Sequence, residues 1–214
     1  VSVAEAYLAD WICAIRNRAP EIELISSADN NERLDRMLTE NRIDLAVYDG
    51  AIDRAAKTVL PLFTETEAAV CAPAVYDKDT ITPEQLSQYP LLLREQGSGQ
   101  RSAVDNALSR YGYTCAVTSV STLALVALAA QGVGIAVVPL HLARHLCTIY
   151  PLRLTTIVLP ETDPCAGIHP CAGIHPCAGI RREYVLAHLK NKNITSAMRT
   201  VMEVLQHCAA SLTE

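Results

Sequence analysis

The chain has 214 residues, half of them hydrophobic, and a formal net charge of −5. That length can bury a substantial core as one domain or two small ones, and the composition excludes a disordered polypeptide. No dense Lys/Arg cluster is present, so this polypeptide alone is a poor fit to phosphate neutralisation of nucleic acid. No apolar run reaches the roughly 18–20 residues that a membrane span needs.

The first residues lack the basic-then-apolar pattern of a secretory signal. Eight cysteines are present; Cys13, Cys71, Cys115, Cys147 and Cys208 are scattered, with no CxxC pair among them. Isolated cysteines inside apolar patterns, such as Cys13 and Cys71, read as small core residues of a reducing compartment, which points to the cytoplasm.

In chain order, Ser2-Val-Ala-Glu5 has the spacing of a capping box, with Ser2 as N-cap, and Tyr7, Leu8, Trp11, Ile12 and Ile15 recur as one helical face. Pro20 follows the helix, and Glu21–Ile25 alternates as a half-buried strand. Ser26, Ser27 and Asp29-Asn-Asn31 supply a turn and a cap for a helix carrying Leu34, Met37 and Leu38, ending near Asn41. Ile43–Tyr48 reads as the next strand, and Val59–Ala72 as a long extended segment able to cross between subdomains.

A second alternating unit follows. It contains a Pro83–Gln88 helix, a Leu91–Arg94 strand, a helix from about Gly99 to Tyr111 stopped near Gly112, and a Cys115–Val120 strand. Ser121 caps a Leu123–Gln131 helix stopped by Gly132, and a strand ends at Pro139. An Ile157–Leu159 strand, a Tyr184–His188 strand and a helix around Ser196–Cys208 close the chain. Strands alternating with helices indicate an α/β fold with parallel sheets and right-handed crossovers, in which ligands sit at the carboxyl ends of strands.

The run Arg94-Glu-Gln-Gly-Ser-Gly-Gln-Arg101 is a strand, a small polar turn and a helix start. The first N–H groups of such a helix, with the positive end of its dipole, suit a carboxylate or another anion. Gly97, Ser98, Gly99 and Gln100 are therefore candidate ligand contacts, with Arg94 or Arg101 as countercharge; the bland alternative is a plain N-cap. Thr118 and Ser121 offer a second helix start, and Ser2 with Val3 a third. Ser26, Ser27, Tyr48 and Val138 complete the candidate set at strand ends. Ordinary turn chemistry accounts for Ser26, Ser27 and Tyr48 equally well.

His141 and His145 lie four apart on a short helix without an HExxH pattern, and neither GxSxG nor a nucleophile–base–orienter set is present. The chain reads as a non-enzyme with no cofactor. From Pro164 a hexapeptide, Pro-Cys-Ala-Gly-Ile-His, repeats in tandem to Arg181. Cys165, His169, Cys171, His175 and Cys177 are zinc-type ligand residues, but their spacing is not a usual zinc pattern. Deleting two units leaves an ordinary inter-strand loop, so the repeat reads as an incidental expansion.

The phrases Arg42-Ile-Asp-Leu-Ala-Val47, Ala129-Ala-Gln-Gly-Val-Gly-Ile-Ala-Val-Val-Pro139 and Tyr184–Lys190, in this order, resemble the effector-binding domain of LysR-type transcriptional regulators. The resemblance implies two Rossmann-like subdomains joined by two crossing strands, the periplasmic-binding-protein type 2 fold. Subdomain I would span 1–67 plus 186–214 and subdomain II 68–185, with the repeat loop at 164–181. It also implies a small effector, a carboxylate or other anion, in the cleft between them, and a homodimer or homotetramer with no membrane contact. DNA would be bound only through an N-terminal helix-turn-helix domain that this chain lacks. A solute-binding protein of a transport system shares the fold and is the alternative.

Overall fold

A computed structural model describes residues 1–49, 53–159 and 179–212. The elements in order are α1 (Ser2–Arg18), α2 (Asn31–Thr39), β1 (Ala46–Asp49), β2 (Lys57–Cys71), β3 (Thr80–Ile81), α3 (Pro83–Leu86) and β4 (Leu91–Arg94). They continue with α4 (Gly99–Leu108), β5 (Cys115–Ser119), α5 (Thr122–Ala130), β6 (Ile135–Pro139), α6 (Leu140–Leu146), β7 (Arg153–Ile157), β8 (Arg181–Leu189) and α7 (Ser196–Ala210). The chain divides into two compact units. One comprises Val1, Val3–Thr64 and Glu183–Glu214; the other comprises Ser2 and Glu65–Arg182. The strands β2 and β8 each run through a division point, so the chain crosses between units within strands rather than loops.

In the first unit β1 runs antiparallel to β8, with Tyr48 opposite Val185. Its core is aromatic. Tyr7, Trp11 and Ile15 recur every four residues, and the two rings meet Phe63 edge-on at centroid distances of 5.2 and 6.4 Å. Phe63 in turn stacks on Tyr184 at 5.0 Å. A smaller cluster joins Leu34 and Leu38 of α2 to Ala46, Tyr48 and Ala187.

In the second unit β4 lies between β6 and β5 and is parallel to both, while the end of β2 is antiparallel to β6 and to β7. The Leu91–Leu93 run is fully buried, as expected of a strand covered on both faces. Two glycines make the α5–β6 connection. Gly132 takes φ +79°, the left-handed turn that ends α5. A Cβ on Gly134 would collide with the Pro90 carbonyl, whose oxygen accepts the Ile135 N–H at 2.9 Å.

Several boundaries depart from the expectations. Ser2 is not an N-cap: Val1 holds that position without a side-chain cap bond, and Ser2 is a buried first-turn residue. Glu21–Ile25 forms no strand, because alternation alone supplies no ladder partner, and Ile25 is 94% exposed. The strand expected from Ile43 begins at Ala46, where pairing with β8 begins. The helix expected to reach Tyr111 ends at Leu108, and Gly112 is left-handed. The strand placed at Ile157–Leu159 is Arg153–Ile157, the part that pairs with both β2 and β3. Cys13 is exposed while Cys71 is buried, because Cys13 falls two residues past Trp11, off the buried face of α1. The repeat loop lies outside the described residues.

Truncating Phe63→Ala removes the ring shared by Tyr7, Trp11 and Tyr184 and is expected to cost about 3–5 kcal/mol. Cys13→Ser should stay within about 0.5 kcal/mol. Urea unfolding of both variants checks the pair, and equal losses would contradict the packing described.

Candidate functional site

Because β4, β5 and β6 are parallel, the helices that follow them begin at one edge of the sheet. Arg94 at the end of β4 stands opposite Ser119 at the end of β5, so the α4 and α5 starts are neighbours. Their first-turn N–H groups have no intrahelical acceptor.

The caps differ between helices. Asn30, Thr82, Ser121 and Thr195 each accept a backbone N–H from the first turn of their helix, as their residue types favour. Ser98 holds the N-cap position of α4 and is only 5% exposed, yet its side chain makes no cap bond. Gly97, at φ +83°, makes the turn that delivers it. At the third helix start on this edge, the buried Glu65 carboxylate accepts the His141 N–H at 3.4 Å. A carboxylate of the protein itself thus meets α6, while the α4 turn lacks its side-chain cap.

The two expected countercharges are already committed. The Arg94 guanidinium is 1% exposed and forks onto Glu95 at 2.9 and 3.1 Å, with Thr122 Oγ1 at 3.4 Å. Arg101 Nε donates to Asp105 at 2.8 Å and its Nη1 to the Arg94 carbonyl at 3.3 Å. Burial pulls the Arg101 pKa down, but the bond to Asp105 and its charge, together with the Tyr113 phenol, hold it above its usual value.

Beneath the α4 turn lies a buried polar triad. Gln100 Nε2 donates to Glu67 Oε2 at 2.8 Å and to the Val137 carbonyl at 2.6 Å, and Arg182 Nη1 donates to Glu67 Oε1 at 2.8 Å. All three residues are at most 5% exposed. Burial pushes the Glu67 carboxyl above its ordinary range; Arg182 and Gln100 oppose that rise, and neighbouring Glu65 adds to it.

Among the remaining candidates, Val138 is buried on β6 opposite Ala68. Thr118 is exposed on β5, its Oγ1 3.4 Å from Cys115 Sγ. Ser2 and Val3 lie in the first turn of α1, and Ser26 and Ser27 are exposed outside regular structure. The Tyr48 hydroxyl donates to Asp35 Oδ1 at 3.1 Å, and Lys57 Nζ reaches the same oxygen at 2.7 Å. Burial, reinforced by the Asp35 charge, raises the Tyr48 pKa well beyond its normal value. The second unit therefore brings Gly97, Ser98, Gly99, Gln100 and Ser121 to one edge. The sequence reading missed Glu67, Arg182 and Thr122. The available signal was two glutamates, Glu65 and Glu67, inside an otherwise apolar strand.

Among the described residues no group of three or more His, Cys, Asp or Glu side chains could hold a metal ion, and no helix is long and apolar enough to cross a membrane. The Cys/His set at 165–177 lies outside those residues.

The family model for the LysR substrate binding domain matches residues 1–209. The chain belongs to this family: it is the effector-binding domain of a LysR-type transcription regulator, a regulatory ligand-binding domain rather than an enzyme. Membership does not favour the transport-protein alternative. No curated protein matches the chain on sequence.

Solved structures share the fold. The regulatory domain of CcmR from Synechocystis PCC6803, in complex with 2-PG, superposes with a TM-score of 0.80 at 18% identity, over 100% of this chain and 96% of that one. A reduced form of OxyR from N. meningitidis gives 0.74 at 19% identity, covering 96% and 90%. The effector binding domain of QuiR in complex with shikimate gives 0.74 at 17% identity, covering 100% and 95%.

The raised Glu67 carboxyl makes a signed prediction. The folded chain holds that proton to higher pH than the unfolded chain, whose carboxyl has the ordinary value of 4.5. Its contribution is therefore complete below that value and is lost as pH rises toward the folded value. Urea unfolding from about pH 4 to about pH 7 should show the stability of the parent falling relative to Glu67→Gln as pH rises. A difference independent of pH would contradict this.

Proposed function

We propose that the effector of this domain is a small anion, a carboxylate in the first instance, held by the first-turn N–H groups of α4 and α5. The observation that carries this reading is Ser98. It is a buried, cap-competent residue that leaves the α4 turn uncapped, while Asn30, Thr82, Ser121 and Thr195 cap theirs. An anion there would receive N–H groups from Gly99 and Gln100 and the Ser98 hydroxyl, with the α5 start alongside. Helix N-termini favour negative charge through both their free donors and their dipole. The α6 start supports the same chemistry, since Glu65 already supplies a carboxylate to it. With Arg94 and Arg101 neutralised by Glu95 and Asp105, the N–H groups rather than a free guanidinium would provide recognition.

Two similar structures are complexes with the small molecules 2-PG and shikimate, which supports a small-molecule effector for this chain. On the family pattern we read the domain as part of a homodimer or homotetramer in the cytoplasm, contacting DNA through a separate segment of the regulator. Effector binding then shifts the population of conformations that the DNA-binding segment reads.

A thermal-shift screen against small anionic metabolites tests the site, with Ser98→Trp as control. An anion at 100 times its dissociation constant should add roughly 2.7 kcal/mol of stability. That gain should vanish in Ser98→Trp, whose indole fills the turn. Stabilisation that survives the substitution would move the effector elsewhere.

A further inference from the structure

Gln100 occupies a position that packing alone does not explain. Its backbone N–H belongs to the first turn of α4, yet its side chain is buried, with both amide hydrogens committed to Glu67 and the Val137 carbonyl. Its Oε1 is buried with no hydrogen-bond partner. A half-satisfied buried amide is a poorer core filler than an apolar side chain of similar size. What the amide does achieve is a connection. Glu67 is the third residue of β2 within its unit, and Arg182 on β8 is the last residue of the same unit. The ion pair between them, and the Glu67 N–H donated to the Ile180 carbonyl at 2.8 Å, fasten the two strands together where the chain leaves the unit.

We propose that Gln100 is a positioning residue that couples occupancy of the 97–100 turn to the two crossing strands through Glu67 and Arg182. This rests on the reading of that turn as the effector site. A charge arriving at the Ser98 turn draws in the first N–H groups of α4, Gln100 among them. Any displacement of Gln100 is passed to Glu67 through a 2.8 Å bond between two side chains that are each 1% exposed and closely packed. Glu67 is itself part of β2 and holds Arg182 of β8, so β2 receives the displacement one hydrogen bond from the amide and β8 one bond further on.

Hydrogen exchange followed by NMR on the whole chain tests the linkage without an identified effector. Ser98→Asp places a tethered carboxylate at the turn, and Ser98→Asn is its neutral isostere. The reporter is the Glu67 amide; the Leu91 and Ile135 amides, bonded to Thr114 and Pro90 carbonyls, are references. With Gln100 present, Ser98→Asp should slow Glu67 exchange about threefold relative to Ser98→Asn and leave the references unchanged. In a Gln100→Met background Glu67 should exchange about tenfold faster than in the parent, with no difference between the Asp and Asn substitutions. Gln100→Asn, one methylene too short to reach Glu67, should behave as Gln100→Met does and replaces it should that variant not fold. An Asp–Asn difference that persists without Gln100, or that never appears with it, would overturn the proposal. The anion screen is independent of this outcome. Anions that fail to bind overturn the effector site, whereas an insensitive Glu67 amide overturns only the coupling.

Discussion

A carboxylate can sit in a dry interior only when its charge and its oxygens are met, and Glu67 organises much of the second unit around that constraint. One oxygen takes Arg182 from β8 and the other takes Gln100 from α4, while its backbone N–H is held by Ile180. Three segments far apart in sequence are fixed by one side chain. Gln100 lies in the first turn of α4, so the start of that helix and the fastening of the crossing strands share one side chain.

The edge of the parallel sheet supplies the rest of the chemistry. Parallel strands deliver successive helix starts to the same side, and each start must find acceptors for its first N–H groups. The domain meets this need in two ways: Ser121 caps α5 with its own hydroxyl, and Glu65 brings a carboxylate to α6. The α4 turn has a serine of the right type in the right place that does neither. On the function proposed above, the effector supplies at this turn the acceptor that the serine does not.

Features set by short-range chemistry were legible in the sequence. The Leu91–Arg94 strand is a continuous apolar run between turn signals, and Ser121 and Asn30 are cap residues directly ahead of periodic segments. Gly132 ends its helix because only a left-handed residue turns the chain there. What local pattern could not supply was a partner. Glu21–Ile25 alternates like a strand but pairs with no strand among the described residues, and Arg153–Ile157 is a strand because β2 and β3 flank it. Glu67 and Arg182 lie 115 residues apart, and nothing in either neighbourhood names the other. The Ser98 side chain is a subtler case: its residue type announces a cap, and only the folded geometry shows that it makes none.

On the proposed function, the α4 and α5 starts hold an anion. The most direct measurement is an amide chemical-shift titration of the chain with the strongest carboxylate from the metabolite screen. Saturable shifts are expected centred on Gly97–Arg101 and on Thr122 and Leu123, with little change at the α6 start that Glu65 already serves. Saturable shifts concentrated elsewhere, with the Ser98 turn unmoved, would contradict it.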